Sequence, residues 1–142
     1  MDDKLLQELI VKLQTLSAYA QDHQVLNYWV WVILVLVSLL LVAATTLAGF
    51  QEKGKLAGIL SIINGFIIAF QSAFAFGDAA QFYRALHSQT EVVLLDSRDV
   101  KTAEDFAKLK SNYRLLVEKL GKEVPIGSGL AAAQSIKGVG GK

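Results

Sequence analysis

Two long stretches of this chain carry no charge, and they limit what it can fold into more than any other feature. From Gln24 to Gln51 there is no Asp, Glu, Lys, Arg or His, and from Leu56 to Gly77 there is none either. A helix needs about 20 predominantly apolar residues to cross a hydrocarbon core of roughly 30 Å. Both stretches meet that length, and the core helices of soluble proteins rarely stay uncharged for so long. The expected fold is therefore an all-α membrane protein built on a two-span hairpin. The spans are expected over about residues 28–50 and 56–77.

The first stretch does not read as a cleavable signal peptide. It follows 23 residues of charged, amphipathic sequence, and it exceeds the roughly 7–15 residues of a signal core. There is no cysteine, which excludes disulfides, thiolate metal sites and a cysteine nucleophile. A net charge of +1 gives no overall basic field, so nucleic acid is not an expected partner.

Before the first span, Leu6, Leu9, Leu13, Leu16 and Ala20 recur at a 3-4-3-4 spacing, which keeps them on one face of a helix. Asp2, Asp3 and Glu8 lie towards its start, where the helix dipole favours acids. Tyr28, Trp29 and Trp31 cluster at the opening of the first span, as amphipathic rings do at a membrane boundary. Ser38 and Thr45 share one side of that span and need no functional explanation. The linker Gln51-Glu52-Lys53-Gly54-Lys55 is too short to recross a bilayer. The spans must then run antiparallel, with both chain ends on one side. The loop lysines Lys53 and Lys55 argue weakly against cytoplasmic ends. The long polar arms and the missing signal peptide argue for them, and cytoplasmic termini are the expectation.

The second span is divided by angle. Ala57, Ser61, Asn64, Gly65, Ile68, Gln71, Ser72 and Ala75 share one broad, small and polar face. Ile59, Ile63, Phe66, Phe70 and Phe74 occupy the other. Amides are costly in lipid, so Ser61, Asn64, Gly65, Ile68, Gln71 and Ser72 are candidates either for hydrogen-bonded helix packing or for lining a water-filled pore in an oligomer. Gly54 and Gly58 fit the G-x-x-x-G pattern only at the loop, a weak signal.

Beyond Asp78 the helix is expected to run on to Asp96 with Phe82, Tyr83, Leu86 and Val93 on its apolar side. Residues 97–101 read as a turn. Thr102 with Asp105 resembles a capping box, opening a helix over about Ala103–Leu120. There Phe106, Leu109, Tyr113, Leu116 and Leu120 repeat the 3-4-3-4 spacing, and Gly121 is the expected stop. The stripes Leu6–Leu16 and Phe106–Leu120 are candidates for packing within or between subunits. Residues 1–126 form one expected domain, and the Gly-rich residues 127–142 an expected mobile tail.

Chemistry is sparse. His23 and His87 lack the further ligands that a metal site needs, so no metal and no cofactor are expected. No phosphate-binding, dinucleotide-binding, zinc-protease or nucleophile-elbow motif occurs. Asp96, Asp99, Glu104 and Asp105 read as a solvated turn and a helix cap. No ionisable residue lies within a span, which argues against an ion-coupled transporter. The expectation is that the chain is not an enzyme.

The layout resembles the SLATT family of small two-transmembrane proteins, predicted effectors associated with SMODS nucleotidyltransferases and SLOG proteins. The most similar segments are Gln81-Phe-Tyr-Arg-Ala-Leu-His87 and the stretch from Phe106-Ala-Lys-Leu109 through Tyr113-Arg-Leu-Leu116 to Pro125. The resemblance covers about residues 1–126 and rests on architecture and a diffuse pattern. It implies a homo-oligomer in the bacterial inner membrane, with cytoplasmic termini. It also implies a pore-forming role in a nucleotide-signalled conflict or antiviral system. The implied partners are membrane lipid, further copies of the chain, and a nucleotide-signalling protein or a nucleotide. It offers no catalytic residue to transfer. The alternative reading is a small membrane scaffold, an accessory subunit of a larger membrane complex.

Overall fold

A computed structural model describes residues 3–125. The expected tail at 127–142 lies outside the described residues. Four α-helices follow one another: α1 (Asp3–Phe50), α2 (Gly54–Phe74), α3 (Phe76–Asp96) and α4 (Ala103–Lys122). A single 3₁₀ turn at Ser97–Asp99 separates α3 from α4. No strand occurs among the described residues. The described chain divides into two units, one of residues 3–26 and 78–125, the other of residues 27–77.

The first unit is a three-helix cluster formed by the start of α1, α3 and α4. Leu9, Leu13, Leu16 and Ala20 of α1 pack with Ala79, Tyr83, Leu86 and Val93 of α3 and with Leu109 and Leu116 of α4. Leu6, Phe106, Tyr113 and Leu120 lie partly buried against them. Both stripes thus meet inside one chain. Each spacing of three or four residues returns a side chain to the same helix face, so the stripes form continuous seams. Leu13 and Leu86 are completely buried. Each such leucine contributes about 1.5–3 kcal/mol relative to an exposed position. Thr90 is equally buried and satisfies its hydroxyl by donating to the Leu86 carbonyl at 2.8 Å.

The second unit is the hairpin of α1 and α2. The turn between them is shorter than the sequence suggests, because Gly54 and Lys55 already belong to α2. Residues 51–53 make the reversal, with Glu52 in the left-handed region at φ 58°. The Gln51, Glu52 and Lys53 amides donate back to the Leu47, Gly49 and Ala48 carbonyls, which satisfies the otherwise orphaned end of α1. Within the hairpin α2 has no fully buried residue, and Ala48 is the one buried apolar residue of α1 there.

Two boundaries depart from expectation. The helix after the loop does not run unbroken to Asp96, because it is interrupted at Ala75 (φ 46°, ψ 41°), which caps α2 in the left-handed conformation. Its N–H donates to the Gln71 carbonyl at 3.0 Å, in the manner of a left-handed helix terminus. Such caps are normally glycine, because an L side chain is strained there. At the other end, α4 passes through the expected stop at Gly121 and ends at Lys122. Gly121 is not among the left-handed residues, so it is used as an ordinary helical residue.

Candidate functional site

The polar positions of the hairpin are held by two different surfaces of α2. Ala57, Leu60, Asn64, Ile67 and Gln71 are partly buried and recur at a 3-4-3-4 spacing, so they form the seam of α2 that packs on α1. Ser61, Gly65, Ile68 and Ser72 lie beside this seam and are exposed. The single small, polar face read from the sequence is therefore split. Ala57 and the two amides turn inward, and Ser61, Gly65, Ile68 and Ser72 outward. The phenyl face is open, and Phe66 is 73% exposed.

Asn64 has a defined partner. Ser38 of α1 donates to Asn64 Oδ1 at 2.6 Å. Thr45 and Thr46 instead donate to their own helix, to the Leu41 and Val42 carbonyls, and Ser72 donates to the Ile68 carbonyl. Gln71 is different. Its Nε2 is buried and is the one buried side-chain nitrogen or oxygen without a hydrogen-bond partner among the described residues. An unmet buried donor costs about 1–3 kcal/mol. A methyl group built at Gly65 would meet nothing within 4 Å, so the outward face could be approached closely by another helix.

A second polar cluster lies in the three-helix unit, and sequence reasoning missed it. Ser17 is buried, between Leu13 and Ala20 on the same face of α1. His87 and Glu91, one turn apart on α3, both reach it. His87 Nδ1 lies 2.9 Å from Ser17 Oγ and 3.2 Å from the Ser17 carbonyl. A carbonyl only accepts, so Nδ1 carries the proton and donates to both oxygens. The Ser17 hydroxyl then gives its one proton to Glu91 Oε1 at 2.6 Å. A nucleophilic serine must give that proton to a base that carries it away. Here the histidine is itself the donor, so the cluster ties α1 to α3. The available signal was a serine at i+4 from Leu13 and i−3 from Ala20, inside an otherwise apolar stripe.

Next to it, the rings of Tyr19, His23 and Tyr83 pack at tilted angles, with centroids 3.9 Å apart for Tyr19–His23 and 5.1 Å for His23–Tyr83. Burial pushes the Tyr83 phenol above its ordinary value, and a hydrogen bond with Tyr19 adds to the shift.

The acidic group at the α4 start forms a cap. Thr102 Oγ1 accepts from the Asp105 amide at 3.1 Å, and Asp105 Oδ2 accepts from the Thr102 and Lys101 amides at 2.9 and 3.2 Å. The hydrogen bonds from Thr102 and Lys101 hold the Asp105 carboxyl below its ordinary range. Asp96, Asp99 and Asp105 border a cleft with Lys108. Among the described residues no group of three His, Cys, Asp or Glu side chains is placed to hold a metal ion.

No protein-family model matches the chain, and no curated protein or solved structure matches it. The class defined by the fold is an all-helical chain with two helices long and apolar enough to cross a membrane.

Proposed function

We propose that the chain is a two-span membrane protein that assembles into a homo-oligomer and acts as a pore-forming effector, with both termini in the cytoplasm. The observation that carries this reading is the outward side of α2. Ser61, Gly65 and Ser72 are exposed on a helix that is otherwise Ile- and Phe-rich. Lipid is a poor neighbour for hydroxyls and bare backbone, whereas further copies of the helix around a wet axis suit both. The hairpin supports membrane insertion through its unburied apolar surface. Large side chains from Leu26 to Phe74 are open along both helices, and contiguous exposed apolar surface is uncommon on a soluble monomer. A turn of three residues is too short to recross a bilayer, which supports antiparallel spans with both chain ends on one side. The link to a bacterial nucleotide-signalled conflict system, and to the inner membrane, rests on the SLATT resemblance.

The Ser38–Asn64 bond favours the second reading, a membrane scaffold, because it uses the best pore-lining amide for helix packing. Conductance of the purified protein in planar bilayers separates the two. In a pore, Ser61→Asp or Ser72→Asp shifts permeation towards cations, and Asn64→Leu alters stability alone. Conductance equal to that of empty bilayers in the parent and both aspartate variants rejects the pore and leaves the scaffold.

A further inference from the structure

The three-helix unit carries two surfaces that match each other. One is the groove between α1 and α4. A cleft of about 200 Å³ there is floored by Leu5, Phe106 and Tyr113 and rimmed by Lys12, Lys110 and Arg114. It continues along the same helix pair past Tyr113 into a second cleft bordered by Tyr19 and Val117. Leu5, Tyr19 and Val117 are all exposed. Lys12 is paired with Glu8 at 2.8 Å. Lys110 and Arg114 are exposed and form no ion pair among the described residues.

The other surface is the outer ridge of α3. Tyr83, Leu86, Thr90 and Val93 face inward, which turns Ser88, Val92 and Leu95 outward. Val92 and Leu95 are 57% and 56% exposed. On their α1 side lies Glu91, which accepts from Ser17, and on their α4 side Asp96 and Asp99, which border the cleft with Lys108. Asp96 and Asp99 form no ion pair among the described residues.

We propose that the α3 ridge of one copy docks into the α1–α4 groove of the next, head to tail. This rests on the homo-oligomer reading and names the surfaces that build it. Shape and charge both support it. Within a three-helix cluster, the groove between two helices lies across from the outer ridge of the third, so the two surfaces face opposite ways on one unit. Such a pair cannot close as a two-fold dimer. It repeats, and it gives a ring when the rotation closes. Copies held in one membrane share their orientation, so the rotation axis lies along the membrane normal. The groove brings Lys12, Lys110 and Arg114 against Glu8, two net positive charges. The ridge brings Glu91, Asp96 and Asp99 against Arg98, two net negative charges. Two apolar side chains flanked by acids thus meet an apolar floor rimmed by cations, the complementarity that fixes partner and register.

Charge exchange in the full chain, purified in detergent, tests this through the mass of the protein–detergent complex, with helix content followed by circular dichroism. All four positions are exposed, so the fold is retained. Lys110→Glu with Arg114→Glu places acids against acids and raises the concentration needed for assembly at least about tenfold. Asp96→Lys with Asp99→Lys does the same from the other side. All four substitutions in one chain restore assembly to within about threefold of the parent. An oligomeric parent whose mass ignores both pairs, or a fourfold variant that stays dissociated, overturns this interface and leaves the homo-oligomer reading standing. A parent that is monomeric at every concentration overturns both.

Discussion

Ser38 Oγ and Asn64 Oδ1 lie 2.6 Å apart, joined by a hydrogen bond that crosses the α1–α2 hairpin. Its strength in an apolar setting sets the first expectation. Interhelical hydrogen bonds in membranes average about 0.6 kcal/mol and reach about 1.7. Asn64→Ala and Ser38→Ala should each destabilise the hairpin by about 1 kcal/mol. The double variant should lose less than the sum, by roughly 0.6 kcal/mol. Unfolding in detergent measures all four corners of this cycle. Strict additivity would show that the two side chains do not interact.

The strain at Ala75 gives the second prediction. A left-handed backbone costs an L residue roughly 1–2 kcal/mol, while glycine adopts it freely at an entropic cost of roughly 0.5–1 kcal/mol. Ala75→Gly should therefore stabilise the break between α2 and α3 by up to about 1 kcal/mol. Ala75→Val should destabilise it, because a β-branched residue is a marked outlier at positive φ. Thermal unfolding in detergent ranks the variants. A parent more stable than Ala75→Gly would mean that residue 75 is not left-handed in the folded protein.

What was legible in the sequence follows from which forces act along one helix. The stripes Leu6–Ala20 and Phe106–Leu120 could be read because burial imprints the helical repeat on residue type, and these residues do line the core of the three-helix unit. The cap at Thr102 was legible because its two side chains lie three residues apart. The division of the α2 polar face was not. A helical wheel groups Asn64 with Ser61 and Gly65, but only the packing of α1 decides which edge of that group is the seam. The cluster of Ser17 with His87 and Glu91 joins residues about seventy positions apart, and no local pattern announces it. Ala75 is neither Gly nor Pro, so the break there has no compositional signal.

The third prediction is a pH dependence at the α4 cap. Hydrogen bonds from Thr102 and Lys101 lower the folded-state value of Asp105. A lowered carboxyl contributes stability that is present above its unfolded value and is lost as pH falls through the folded value. The α4 end should therefore loosen on acidification below the ordinary aspartate range. Asp105→Asn should remove that part of the acid sensitivity. Thr102→Ala should cost about 1 kcal/mol through loss of the N-cap. Amide exchange at residues 103–106, followed against pH, reads both. Parallel acid profiles for the parent and Asp105→Asn would reject the role of the carboxyl.

The last prediction concerns Trp31 and Gly77 within the hairpin unit. A methyl group built at Gly77 would lie 3.3 Å from Trp31 Nε1 and 3.4 Å from Cδ1, so the indole rests almost on the backbone. Only a residue without a side chain permits that approach without displacement. Gly77→Ala adds a contact that the ring can relieve by a few tenths of an ångström, and the better helix propensity of alanine, reduced here in the first turn of α3, offsets part of it. Stability should barely change. Gly77→Leu cannot be accommodated in this way and should cost roughly 1–3 kcal/mol by overpacking. It should also shift the emission of Trp31, read in a Trp29→Phe background because the chain has two tryptophans. The contact is specific if removing the ring removes the penalty. In a Trp31→Ala background, Gly77→Leu should cost less than half as much as it does in the parent. An equal loss in both backgrounds would assign the cost to the backbone at residue 77 and leave Trp31 without a part in it.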